Sequence, residues 1–260
     1  MPHREYVFIS DVHLGAFQPT EAKAIEQEFI ALVEFCIAYE LKLFILGDLF
    51  DYWMEYPKKQ WVPNISPDVL EVLKRYNQQV EPIVYITGNH DNWDFGYFES
   101  MGFDVETDYR SLNLAGLQVL LIHGDGHYID DQKPLKRPLF HRMLRSKAFI
   151  KLYQSLLPPE MGIGVMKHFS KASKVRDIHS ATALNIHAEQ VLNSTNFDYI
   201  LSGHDHIPRM ETFTGGRYIN LGTFFHHRSL VLYNKDGFHL VSWKASTQEF
   251  VPFKESTTAE

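Results

Sequence analysis

One local pattern recurs five times in this chain and governs what it can fold into: a short apolar run ends abruptly in a cluster drawn from Asp, His, Asn and Gly. Tyr6 to Ile9 precedes "SDVHLG", Leu43 to Leu46 precedes "GDLFD", and Ile83 to Ile86 precedes "TGNHD". Val119 to Ile122 precedes "HGDG", and Tyr199 to Leu201 precedes "SGHDH". Runs of this length, rich in Val, Ile, Tyr and Phe, predict buried strands. Between them, Glu21 to Glu40 and Pro67 to Val80 place apolar residues at three- and four-residue spacing, which predicts helices. After Ser202 the pattern becomes strand-only, over Arg209 to Phe213, Arg217 to Leu221, Leu230 to Tyr233 and Phe238 to Trp243. Turn signals Thr214-Gly215-Gly216 and Asn234-Lys235-Asp236-Gly237 punctuate these runs. The expectation is an α/β chain with two sheets packed together and helices outside. In such layered folds ligands sit at the carboxyl ends of strands, where all five clusters fall.

At 260 residues and 45% apolar, the chain can bury a large core, and a single domain over residues 1–260 is expected. Cys36 is the one cysteine, in a helical pattern beside Phe35 and Ile37, which fits a buried thiol and excludes a disulfide scaffold. The first residues show no signal-peptide pattern, and no run of 18 apolar residues occurs. A reducing cytoplasmic setting is expected, with contact to a membrane surface left open. The net charge of -7 hides an asymmetry: His127 to Ser180 carries eleven Lys and Arg against four Asp and Glu. This basic helical insertion, residues 127–180, should attract anions such as phosphates or acidic headgroups.

Asp11 and His13 stand two apart beyond a strand, so both can point to one side of the chain. Asp48 follows Gly47, Asn89 follows Gly88, His123 precedes Gly124, and His204 and His206 flank Asp205. Mixed carboxylate, amide and imidazole donors suit Mn²⁺, Fe²⁺ or Zn²⁺ better than Ca²⁺. Seven such residues exceed what one transition ion takes, so two ions sharing a carboxylate are expected.

The order D-x-H, G-D-x-x-D, G-N-H-D, H-G-D and G-H-D-H closely resembles the calcineurin-like metallophosphoesterase superfamily, over Val7 to about Trp243. The resemblance implies a two-sheet αββα sandwich. It also implies one metal held by Asp11, His13, Asp48 and His206, and a second by Asp48, Asn89, His123 and His204, with Asp48 bridging. Two adjacent cations can activate a water and neutralise charge on a phosphoryl group. The leaving-group oxygen then needs a proton or an electrostatic partner, and His90 is placed to supply it. Asp91 is expected to hold the His90 imidazole, with Asp51 and Asp125 orienting ligands. His127 is ambiguous because it lies so close to His123, and the remaining histidines are read as surface or polar packing positions.

The substrate must be read from the insertion. "PLFHRMLRSKAFIKLYQSLLP", residues 138–158, combines a broad apolar face with Arg142, Arg145, Lys147 and Lys151 elsewhere. It is either a helical hairpin docked on the core or a lid for acyl chains with a basic rim. Together with "HGDGHYIDD" and an "SK" pair, it resembles the UDP-2,3-diacylglucosamine pyrophosphohydrolases of lipid A synthesis. That family releases UMP and 2,3-diacylglucosamine 1-phosphate, usually with Mn²⁺, at the inner membrane surface. The resemblance offers Asp131, Lys171 and Lys174 as substrate contacts. This chain departs from the best-known members in carrying His90 where they have Arg, and "GHDH" where they have "GHTH". A phosphodiesterase or phosphatase for soluble nucleotides or small phosphoesters, and a metal-bound interaction module without turnover, are the alternatives. Nucleic acid is not expected as a partner, because the charge is negative outside one helical segment. The apolar face of a lid would serve a dimer as well as a lipid, so the oligomeric state stays open.

Overall fold

The computed structural model describes residues 5–126, 136–173 and 180–254. Its elements begin with β1 (Tyr6–Ile9), α1 (Pro19–Ala38), β2 (Lys42–Leu46), α2 (Pro67–Gln79), β3 (Val84–Ile86) and α3 (Tyr97–Ser100). They continue with β4 (Asp104–Glu106), β5 (Tyr109–Leu114), β6 (Leu117–Ile122), α4 (Leu139–Leu144), α5 (Lys147–Leu156) and α6 (Pro159–Ser173). The chain closes with α7 (Ser180–Ser194), β7 (Tyr199–Ser202), β8 (Arg209–Phe213), β9 (Gly216–Asn220), α8 (Phe224–His227), β10 (Ser229–Asn234), β11 (Gly237–Lys244) and β12 (Glu249–Pro252).

The strands form two sheets, ordered β12-β11-β10-β1-β2-β3-β4 and β5-β6-β7-β9-β8. Alternation along the strands explains how these layers stack. Val7 and Ile9 of β1, with Leu43 and Ile45 of β2, face Phe29, Leu32 and Leu73 of α1 and α2. Their neighbours Phe8, Phe44 and Leu46 turn the other way and meet Val119, Leu121, Leu201 and Ile219 of the second sheet. Leu120, Ile122 and Ile200 then face Leu184 and Val191 of α7. The result is the αββα sandwich expected from the sequence, with the central strands β1, β2, β6 and β7 buried on both faces.

The parallel pairings put the motif-bearing ends side by side: β1, β2 and β3 run parallel in one sheet, and β6 and β7 in the other. Cys36 is a buried free thiol in α1, and burial raises its pKa. Three edge strands, β4, β5 and β12, have no counterpart in the sequence reading. β4 and β12 contain no fully buried residue, and β5 buries only Leu114, so they lack the apolar run that announces a central strand. Among the described residues no helix is long and apolar enough to cross a membrane.

The insertion, expected as a docked helical hairpin or a lid, is divided into short helices. α4 and α5 are separated at Arg145 and Ser146, and only part of the apolar face packs down. Ile150 is buried against Met54, Tyr56 and Trp93, with Phe149, Tyr153, Ile163 and Met166 around it. Leu139, Phe140, Met143, Leu152 and Leu156 stay exposed.

One hydroxyl anchors the first helical layer to its sheet. The Leu43 main-chain N–H donates to Tyr76 Oη at 2.8 Å, and Tyr76 Oη donates to the Leu41 carbonyl at 2.6 Å, all within the core. Tyr76→Phe leaves a buried N–H and a buried carbonyl without this partner and should lower stability by about 1–3 kcal/mol. Urea unfolding measures it; an unchanged midpoint contradicts the assignment.

Candidate metal centre

The five strand-end loops converge, and in three of them the backbone bends sharply at the candidate ligands themselves. Asp11, His13, Asp48, His204 and His206 all have positive φ, between 52° and 76°. Such left-handed positions are uncommon for residues with a Cβ, and they cluster at functional sites. The loops are also stitched together: the Asp11 N–H donates to the Gly47 carbonyl at 3.1 Å, and the His13 N–H to that of Asp48 at 3.0 Å. The Gly203 N–H donates to the His123 carbonyl at 3.0 Å, joining loops of the second sheet. At Gly88 the approach leaves no room for a side chain, since a Cβ would meet the Asp48 carboxylate and lie 2.6 Å from the Asp48 main-chain nitrogen.

Asp11 and Asp48 are held in the same way. Asp11 Oδ2 accepts hydrogen bonds from Ser10 Oγ at 2.6 Å and the His204 N–H at 3.0 Å. Asp11 Oδ1, fully buried, has no hydrogen-bond partner and faces His206 Nε2 at 3.2 Å and His13 Nε2 at 3.6 Å. Those two imidazole nitrogens lie 3.3 Å apart. Asp48 Oδ1 accepts the His90 N–H at 3.0 Å. Its other oxygen, Oδ2, faces His13 Nε2 at 3.7 Å, His123 Nε2 at 3.5 Å and His90 Nε2 at 3.9 Å. In each carboxylate the protein fixes one oxygen and aims the other at imidazoles.

A second convergence lies on the far side of Asp48. Asn89 Oδ1 is 3.1 Å from both His123 Nε2 and His204 Nδ1. The other nitrogen of His123, Nδ1, donates to the Leu46 carbonyl at 2.8 Å, which makes Nε2 the nitrogen turned toward the site. Between His204 and His206, Asp205 turns away to Arg209 Nη2 at 2.6 Å, so the two histidines share the site without it. All seven residues expected as ligands therefore meet in two adjoining groups, with Asp48 Oδ2 common to both. A buried carboxylate oxygen without a partner, set among imidazole nitrogens, is what a divalent cation would satisfy.

The charges of the metal-free protein follow from this crowding. Burial alone would raise Asp48 and Asp11, but the surrounding histidines hold both well below the usual carboxylate range. Burial opposes a charge on His123, yet Asp48 and Asp11 push its pKa up to about 10. His206 is likewise raised against burial by Asp11. His204 goes the other way, down to about 4, through burial and the His123 charge.

Asp91 does not hold His90. Its carboxylate accepts the Gly88 N–H at 2.6 Å, the Leu49 N–H at 2.8 Å and the Tyr85 hydroxyl, and so braces the loop from beneath. Burial, with Asp48 nearby, lifts its pKa to about 6. Adjacent residues in a tight turn diverge, and the His90 ring points instead to the Asp51 main-chain carbonyl, which accepts from Nδ1. His90 Nε2 is left toward Asp48 and His13. Tyr52, Trp53 and Tyr56 are buried; Trp53 packs on Phe50 and Phe98, and Tyr52 against the His90 ring, so they form walls.

Asp125 touches no ligand ring directly and pairs with Arg137 and Arg145. Arg145, which the sequence placed off the apolar face of the insertion, is largely buried, and no local signal marks it. Ser10 and Phe225 are further residues of the site that the reading missed; Phe225 packs edge-on against His13 and His206. Lys171 lies in α6 beyond the described side chains, and Asp131, Lys174 and His127 lie outside the described residues.

Residues 5–208 match the sequence profile of the calcineurin-like phosphoesterase family. Proteins named UDP-2,3-diacylglucosamine hydrolase are similar along most of the chain. That of Shewanella piezotolerans is 26% identical over 241 residues, 90% of this chain and 96% of its own. That of Edwardsiella ictaluri is 26% identical over 262 residues, covering 94% and 93%. That of Histophilus somni is 26% identical over 208 residues, covering 76% and 82%.

Since His123 keeps its proton up to about pH 10 in the metal-free protein, a cation that takes Nε2 must displace that proton. Metal uptake at pH 7 should release protons, and affinity should rise with pH. Calorimetry in two buffers of different ionisation enthalpy checks this; uptake without proton release contradicts it.

Proposed function

We propose that this chain, which belongs to the calcineurin-like phosphoesterase family, hydrolyses the pyrophosphate of UDP-2,3-diacylglucosamine to UMP and 2,3-diacylglucosamine 1-phosphate. It is a hydrolase of phosphoester bonds, and its family works with divalent metal ions. The relatives named for this substrate support the finer reading through their coverage of the chain.

The observation that carries it is the insertion. Leu139 and Leu156 are 80% and 73% exposed, and Phe140, Met143, Leu152 and Met161 join them. Exposed Arg142, Lys147 and Lys151 lie among these apolar side chains. Apolar and cationic groups on one surface suit a substrate with acyl chains and phosphates, and a membrane surface that supplies it. A mostly apolar cavity lined by Tyr56, Pro57, Phe95, Gln154 and three lysines, Lys58, Lys59 and Lys151, lies between α5 and the loop after β2. Asp131, Lys171 and Lys174 complete this reading as substrate contacts, and the protein works at the membrane surface from the cytoplasm.

Asp11, His13, Asp48 and His206 would hold one ion and Asp48, Asn89, His123 and His204 a second, with Mn²⁺ the resident metal. Bound there, divalent ions supply Lewis acidity to the phosphoryl oxygens and make water a competent nucleophile near neutral pH. His90 acts on the leaving side. Its Nδ1 donates to the Asp51 carbonyl, so Nε2 can donate as well only from the imidazolium. Nε2 lies 3.9 Å from the Asp48 carboxylate, on the side of the candidate ligands. The donor then meets the phosphate oxygen released when the bridging P–O bond breaks.

The test compares the wild type, Asp48→Asn and His90→Ala in Mn²⁺, following UMP release from UDP-2,3-diacylglucosamine beside turnover of a soluble chromogenic phosphodiester. Asp48→Asn should abolish both activities. His90→Ala should keep its metal content and lose about 10²–10⁴ in turnover. Good turnover of the soluble diester without UMP would overturn the lipid substrate, and a fully active His90→Ala would overturn the role of His90.

A further inference from the structure

Arg145 stands in the break between α4 and α5, and its guanidinium joins two loops that carry metal-ligand candidates. On one side Nη2 donates to the Gly88 carbonyl at 2.8 Å and the Thr87 carbonyl at 3.2 Å. On the other, Nη2 and Nε donate to Asp125 Oδ1 at 2.9 Å and Oδ2 at 3.3 Å. Nη1 reaches the Thr107 carbonyl at 3.0 Å and Thr87 Oγ1 at 3.3 Å. The side chain is only 11% exposed.

The positions it grips are informative. Gly88 immediately precedes Asn89, and Asp125 follows His123 by two residues. Asn89 Oδ1 and His123 Nε2 are the pair 3.1 Å apart in the second ligand group. The two loops rise from different sheets, β3 in one and β6 in the other, so no strand ladder sets their separation. Arg137 also binds Asp125, at 3.1 Å, but its other contacts are Thr107 and Asp108, and it has no hydrogen bond to the Gly88 loop.

We infer that Arg145 is a positioning residue for phosphoester hydrolysis: it fixes the spacing of Asn89 and His123, and ties that spacing to the seating of the insertion. This rests on the metal-centre reading above. A planar fork of five donors can serve three carbonyls, a hydroxyl and both oxygens of a carboxylate at once; an ammonium in its place has three donors on a single point charge. Because the residue belongs to the insertion, lifting α4 and α5 off the core must pull the guanidinium from both loops. Arg145 itself touches no ligand atom, so its effect passes through the backbone at Gly88 and through Asp125.

The experiment titrates metal-free wild type, Arg145→Met and Arg145→Lys with Mn²⁺ by calorimetry without substrate, and measures kcat and KM on the soluble phosphodiester. The second ion should bind about 10–100-fold more weakly to Arg145→Met, the range found when groups that orient ligands are removed. The first ion should be unaffected, and kcat should fall with KM little changed. Arg145→Lys should recover only part of the loss, and it gives the same readout if Arg145→Met does not fold. Two ions bound to the variants with wild-type affinity and undiminished kcat overturn the inference, whatever happens to thermal stability. A wild type that takes up no ion removes the metal-centre reading and this inference with it.

Discussion

The Asp48 carboxylate is the interaction on which the rest of the site depends. One oxygen is fixed by the His90 N–H, and the other faces the imidazoles of His13, His123 and His90. Those imidazoles come from three other loops, so a single anion at the end of β2 orders side chains from both sheets. A carboxylate buried to 2% exposure among histidines keeps its charge because they compensate it. That balance also explains why His123 holds a proton so strongly, and why a cation is the natural replacement for it.

The fold supplies the rigidity that this crowding needs. Five of the seven converging residues occupy left-handed backbone positions, each costing on the order of 1–3 kcal/mol. A single loop would relax. Here each bend follows a strand buried on both faces, and main-chain hydrogen bonds such as Asp11 N–H to Gly47 and Gly203 N–H to His123 lock one loop to the next. The strain and the double-sided core are therefore parts of one arrangement: without packed sheets the ligands would separate, and without the bends they would point apart.

Much of this was legible because the chemistry repeats. Five apolar runs closing in polar clusters announced the parallel strands, and the residue types in the clusters announced a candidate metal centre; all seven proposed ligands meet in space. What was not legible depended on relations between distant segments. Asp91 follows His90 in sequence, yet it braces Leu49, Tyr85 and Gly88, while a main-chain carbonyl at Asp51 takes the ring. A backbone acceptor leaves no trace in side-chain identity. Arg145 looked like one more cation on a helix because the break at Ser146, which turns it inward, carries no Pro or Gly. The strands β4, β5 and β12 escaped notice because edge positions need no apolar run.

Anomalous scattering from crystals grown with Mn²⁺ would probe the shared carboxylate most directly. Two peaks about 3.5–4 Å apart, flanking Asp48 Oδ2 with Asp11, His13 and His206 on one side and Asn89, His123 and His204 on the other, are the predicted result. A single peak, or a pair that leaves Asp48 out of one coordination sphere, would contradict it.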